Sequence, residues 1–185
     1  MDSQTVSYTR TAVTLHWLIF ALIACGFALG HYMVGLPLSP MKLRYISWHK
    51  WLGVTIFMLA IVRIVWRATH RVPAPPAAMP AWQKAAAGAS HIMLYILIVA
   101  IPLSGWLYSS AAGVQTVYFG VIPLPDILSK DKPLSGFLKE VHGILNNGLA
   151  ILVAIHVVAA LKHYFIDRDS VLKRMLPFLQ PREPR

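Results

Sequence analysis

His142 and His156 stand 14 residues apart in a long apolar segment that carries no acidic or basic residue between them. In an α-helix that spacing is close to four turns, so both imidazoles leave one face, about 21 Å apart along the axis. Imidazole is a transition-metal ligand. Two of them at two depths of one helix suit two haems stacked inside a membrane, each iron taking a second imidazole from another helix. Other apolar segments offer partners: His16 near the start of the first and His49 near the start of the second. An iron with two axial imidazoles has no open position for a small ligand, so the chemistry expected is electron transfer.

Only membrane spans could position these groups. The chain has 185 residues, 57% hydrophobic and 13% charged, and its mean hydropathy of +0.58 is too high for a soluble domain of this length. Four stretches, about 12–33, 48–66, 90–110 and 141–165, are long enough to cross a hydrocarbon core of about 30 Å. The expected architecture is therefore all-α: a single di-haem domain over 1–185, a four-transmembrane-helix bundle enclosing two b-type haems. The first stretch carries His16 and has no clear small-residue cleavage site, so it is expected to be a permanent helix rather than a secretion signal. Cys25 is the single cysteine, which excludes an internal disulfide and a Cys-ligated zinc or iron–sulfur site.

Positive residues stay on the cytoplasmic side of a membrane. Arg10, Arg63, Arg67, Arg71, Lys84, Lys162, Arg168, Lys173, Arg174, Arg182 and Arg185 fall on one side of the four spans, and Lys42, Arg44, Lys50, Lys130, Lys132 and Lys139 on the other. Eleven against six places both termini in the cytoplasm. The net charge of +10 then reflects topology, and nucleic-acid binding need not be invoked. The third connection, 111–140, reads as an outer cap. The second, VPAPPAAMP, reads as a stiff inner linker, with Trp82 and Lys84 at the lipid headgroups. Pro102 falls inside the third span, where neighbouring helices can satisfy a freed carbonyl.

Depth sorts the histidines. The outer level offers His49 and His142, and the inner level His16 and His156, with His91 as a competitor. Ionisable side chains within a span are costly and usually functional. His91 suits inner ligation, a quinone or propionate contact, or simple packing. His163 lies seven residues beyond His156 on nearly the same face, about 10 Å nearer the cytoplasm, where it could bond a quinone carbonyl and pass it a proton. An ordinary interfacial histidine is the plainer reading there, as it is for His31 and His70. Arg63 follows His49 by 14 residues; it cannot ligate iron but can pair with a haem propionate or snorkel to the headgroups. Gly26, Gly53, Gly105 and Gly148 are small positions open to a porphyrin face or to helix packing.

HWL at His16, WHKWLG around His49, the HIMLYILIVAIPLSGW segment, and VHGILNNG followed by IHVVAALKHYF resemble the bacterial cytochrome b561 family, from about residue 10 to 177. That resemblance implies a four-helix bundle with two b haems. The related cytochrome b subunits of formate dehydrogenase and hydrogenase imply the pairing of His16 with His156 on the inner haem and His49 with His142 on the outer. Some small members are superoxide oxidases, which implies an electron path from superoxide outside to ubiquinone inside. Lys50, Lys130, Lys132 and Lys139 could then form an outer rim that attracts a small anion, although Asp126, Asp131 and Glu140 partly cancel that field. Besides membrane lipid, the expected partners are ubiquinone and a small diffusible donor. A haem-bearing anchor subunit, passing electrons between quinone and a partner dehydrogenase or hydrogenase, is the alternative. A histidine-lined metal transporter fits poorly, because the spans hold no Asp or Glu apart from Glu140 at an edge.

Overall fold

Each apolar stretch becomes one helix that runs past the span read from hydropathy. A computed structural model describes residues 7–176, with α1 over Arg10–Val34, α2 over Pro40–Thr69, α3 over Ala81–Ala111 and α4 over Lys132–Phe165. All four are long and apolar enough to cross a membrane. Polar caps outside the apolar runs set the starts. Thr9 Oγ1 accepts from the Ala12 amide, Ser39 Oγ from Lys42 and Asp131 Oδ1 from Leu134. Pro40 and Pro133 occupy the first turns of α2 and α4, where a missing N–H costs nothing.

Three helix starts differ from the sequence reading, α2 beginning at Pro40 rather than near 48. α4 begins at Lys132, so the last part of the supposed outer loop is helix, because Asp131 caps it well outside the apolar run. Its 34 residues reach about 51 Å, more than the hydrocarbon thickness. α3 begins at Ala81 and takes in Trp82 and Lys84, so the inner linker ends in a turn closed by the Met79 amide on the Pro76 carbonyl. Arg182, Arg185 and the end of the family resemblance at Pro177 lie outside the described residues.

α1 packs along α2, α2 along α3 and α3 along α4, whereas α4 makes few close backbone approaches to α1 or α2. The heptad stripes of α4 explain its orientation. Phe137, Ile144, Ile151, Val158 and Phe165 are between 62% and 69% exposed and form the lipid-facing stripe. His142, Leu149, His156 and His163 recur on the inward one, with Leu149 only 5% exposed. α2 repeats the device with His49, Ile56 and Arg63, Ile56 being buried midway. Leu149 joins Ala60, Leu97, Ile98 and Ile101 in the buried core.

The outer end is covered by a hairpin absent from the sequence reading. Strands β1 (Val117–Tyr118) and β2 (Ile122–Pro123) pair antiparallel, and the turn has positive φ at Phe119 (50°) and Gly120 (73°). Two successive positive φ values mark the primed turn that suits hairpin twist; glycine takes one without strain and Phe119 does not. The hairpin is seated on α2: Trp51 Nε1 donates to the Val117 carbonyl at 2.7 Å, and Thr55 Oγ1 lies 2.9 Å from the Tyr118 hydroxyl. At the other end the chain after α4 folds beneath the bundle, where Trp17 Nε1 donates to the Met175 carbonyl and Arg174 Nη1 to Ala74.

Candidate haem sites

The four histidines chosen from the sequence meet in two pairs. His49 of α2 faces His142 of α4 with ring centroids 6.2 Å apart, and His16 of α1 faces His156 of α4 at 6.3 Å. Imidazole nitrogens bond transition metals at about 2 Å, so two rings on opposite sides of one ion have centroids roughly 6 Å apart. Both pairs meet that requirement. His91 of α3 also reaches the inner level, but its ring is 5.5 Å from that of His156, closer than the other two pairs.

The outer pair is oriented by backbone carbonyls. His49 Nδ1–H donates to the Gly26 carbonyl at 3.1 Å, and His142 Nδ1–H to the Ile101 carbonyl at 3.1 Å. A carbonyl only accepts, so in both rings Nδ1 carries the proton and Nε2 keeps its lone pair, the arrangement that second-shell bonding gives metal-ligating histidines. Ile101 immediately precedes Pro102, and its carbonyl also accepts from Ser104 Oγ at 2.8 Å. The carbonyl that Pro102 itself leaves without an amide partner is that of Ile98, one turn earlier.

Glycines make room for these rings. A Cβ at Gly105 would lie 3.0 Å from His142 Cε1, and one at Gly30 would lie 3.2 Å from His49 Cε1. At Gly53 and Gly148 a Cβ would meet nothing within 4 Å. A cavity of about 450 Å³, lined by His49, His142, Gly26, Gly53, Asn146 and apolar side chains, lies between the outer histidines. Apolar walls, a glycine facing open space and two Nε2 lone pairs across the gap fit a planar metal macrocycle.

The inner pair is held differently. Arg63 Nη2 donates to His16 Nδ1 at 3.3 Å, and Nη1 donates to the Ala12 carbonyl at 2.8 Å. Arg63 therefore stands at the level of His16 rather than at the headgroups. A guanidinium can only donate, so here the His16 proton resides on Nε2; ligation through Nε2 requires Arg63 to release Nδ1.

His163 is anchored in the last turn of α4, its Nδ1 donating to Asp169 at 2.7 Å and lying 3.1 Å from Asp167. Of the outer lysines, Lys50 donates to the Val114 carbonyl of the cap at 2.8 Å. The Lys130 side chain lies against Gly113, and Lys132 and Lys139 sit on the outer extension of α4. Sequence reasoning missed Gly30, although Gly26 and Gly30 form a small-xxx-small pair that could have flagged it. It also missed Ser104, whose contact with His142 depends on packing, and the Asp167 and Asp169 partners of His163, although the four-residue spacing of Asp167 from His163 could have flagged them.

Four spanning helices with imidazoles paired at two levels have the layout of a membrane-bound cytochrome b. Residues 7–178 match the prokaryotic cytochrome b561 family, and the chain belongs to it. It is similar to two Escherichia coli (strain K12) proteins. Cytochrome b561 homolog 2 is 34% identical over 176 residues, covering 91% of this chain and 90% of the relative. Cytochrome b561 homolog 1 is 29% identical over 171 residues, covering 92% and 97%. A Yersinia pestis protein named "Probable superoxide oxidase CybB" is 27% identical over 183 residues, covering 92% and 96%. Family membership makes this a multi-pass bacterial membrane protein that binds b-type haem and carries electrons through the bilayer.

Proposed function

We propose that the chain takes electrons from superoxide at the outer face of the inner membrane and delivers them to ubiquinone at the cytoplasmic face, with both termini cytoplasmic. The observation that carries this reading is the pair of histidine levels set 14 residues apart on α4. His49 with His142 would hold one haem b and His16 with His156 a second, and these groups would supply the one-electron carriers. Two superoxide ions each give up one electron and leave as dioxygen; ubiquinone takes two electrons and two protons. The likeness to a protein named as a superoxide oxidase supports the choice of donor.

The chain's own residues bind, orient and move protons. Lys50, Lys130, Lys132 and Lys139 raise the anion concentration at the outer mouth, as clustered positive charge does. At the inner level, Arg63 would have to release His16 Nδ1 for that ring to take the tautomer of His49 and His142, and its guanidinium would then be free to pair with a propionate. His91 and His163 border the quinone. Because Nδ1–H of His163 donates to Asp169, a quinone carbonyl would be met by Nε2–H of the doubly protonated ring, which is the proton it could pass on.

The test mixes the detergent-purified protein with superoxide, with and without ubiquinone, and follows the reduced-minus-oxidised spectrum. Fast reduction by superoxide and re-oxidation by quinone is expected; two haems indifferent to superoxide would overturn the donor. Exchanging all four outer lysines for glutamine should lower the second-order rate with superoxide about tenfold and flatten its salt dependence. A rate unchanged at low salt would remove the lysines from the mechanism. Gly105→Val places a branched side chain where a Cβ is already 3.0 Å from the His142 ring, an overpacking that costs about 1–3 kcal/mol. Haem per chain should fall from two toward one; an unchanged ratio would show that the ring accommodates the intrusion.

A further inference from the structure

A second cavity, of about 390 Å³, opens at the inner end between α1, α2 and α3. Arg63, Arg67, His70 and Arg71 line it, with no Asp or Glu in the lining. Tyr95 gathers two of the guanidiniums: Arg63 lies 5.9 Å and Arg67 5.7 Å from the centroid of its ring. Like charges collected in one cleft repel unless an anion joins them, and among the described residues neither the Arg67 nor the Arg71 guanidinium makes an ion pair or hydrogen bond. The wall between them is firm. The Trp66 and His70 rings stack at 3.8 Å, and Trp66 Nε1 donates to Thr9 Oγ1 at 2.9 Å, tying α2 to the start of α1.

Arg63 serves the His16 level, but Arg71 lies two residues past the end of α2 at Thr69, and the helix alone runs about 9 Å from Arg63 to Thr69 toward the cytoplasm. That separation places the mouth of the cleft at the headgroups, away from the inner histidines. We propose that Arg67 and Arg71, with His70 at the rim, bind a phosphate group there, presented by an anionic phospholipid of the cytoplasmic leaflet or by free phosphate. Guanidinium donors match phosphate oxygens in pairs, and basic pockets between helices on the cytoplasmic side take anionic headgroups.

The experiment is native mass spectrometry of the haem-loaded protein titrated with phosphatidylglycerol, phosphatidylcholine or inorganic phosphate. The unaltered chain is expected to retain one phosphatidylglycerol in preference to phosphatidylcholine. An Arg67→Gln, Arg71→Gln double variant should bind it about thirtyfold more weakly, at roughly fivefold per arginine, with its haem content unchanged. Arg44→Gln, at the outer end, should bind as the unaltered chain does. Arginine-dependent binding of inorganic phosphate, with no preference for phosphatidylglycerol, identifies free phosphate as the source. Equal retention by the double variant, an equal loss in Arg44→Gln, or loss of haem with the lipid would each overturn the proposal.

Discussion

Replacing His142 with alanine is expected to lower the haem content from two per chain to one, with the inner site intact. In the structure His142 Nδ1 is engaged by the Ile101 carbonyl, so only Nε2 is presented to the gap opposite His49. The substitution removes that atom and enlarges an already apolar cavity, leaving a single imidazole to hold the iron. The inner ligands lie about 21 Å away along α4, and buried Leu149 stands between the two levels, so the loss should not spread. His49→Ala should give the same result, and His16→Ala should remove the other haem. His31→Ala serves as the control: its Nδ1 donates to its own helix at the Phe27 carbonyl, and it belongs to neither pair. The measurement is haem per protein from the pyridine haemochrome spectrum. Two haems retained in both His142→Ala and His49→Ala would remove the outer assignment.

His156→Ala should bring superoxide-driven ubiquinone reduction down to the uncatalysed rate while the outer site still accepts electrons in a stopped-flow trace. Tunnelling rates fall exponentially with distance, and without the inner carrier an electron at the level of His142 faces a gap of about 21 Å in one step. His91→Ala separates the two inner candidates. With rings 5.5 Å apart, His91 and His156 are close enough to compete, but the separation of His16 from His156 matches that of the outer pair. His91→Ala is therefore expected to keep both haems and to weaken quinone reduction. If it loses the inner haem while His16→Ala keeps it, His91 is the ligand and His16 is not.

Much of this molecule is legible in one dimension because the bilayer simplifies the problem. A span must satisfy its own backbone hydrogen bonds, so a long apolar run is a helix, and the four runs are four helices. Periodicity within a helix then fixes which residues share a face. His142, Leu149, His156 and His163 form one stripe whatever the helix packs against, and the lipid-facing stripe of α4 follows from the same count. Residue type and spacing therefore specify two levels of imidazole before any tertiary contact is known.

Spacing along one helix says nothing about the azimuth or depth of another, and there the tertiary structure decided. It brought His16, His91 and His156 to one level, placed Arg63 against His16 instead of at the headgroups, and set Gly30 and Gly105 under the rings of His49 and His142. The tautomers of the outer pair depend on carbonyls of Gly26 and Ile101 that lie 23 and 41 residues away. The polar ends were harder to read, because a cap such as Asp131 can extend a helix beyond its apolar run, and the hairpin on Trp51 relies on contacts between distant segments. By itself the sequence determined helices, their inward faces and the imidazoles those faces carry, since those follow from local geometry and solvation. Which imidazole meets which, and with its proton on which nitrogen, was decided by how the helices pack.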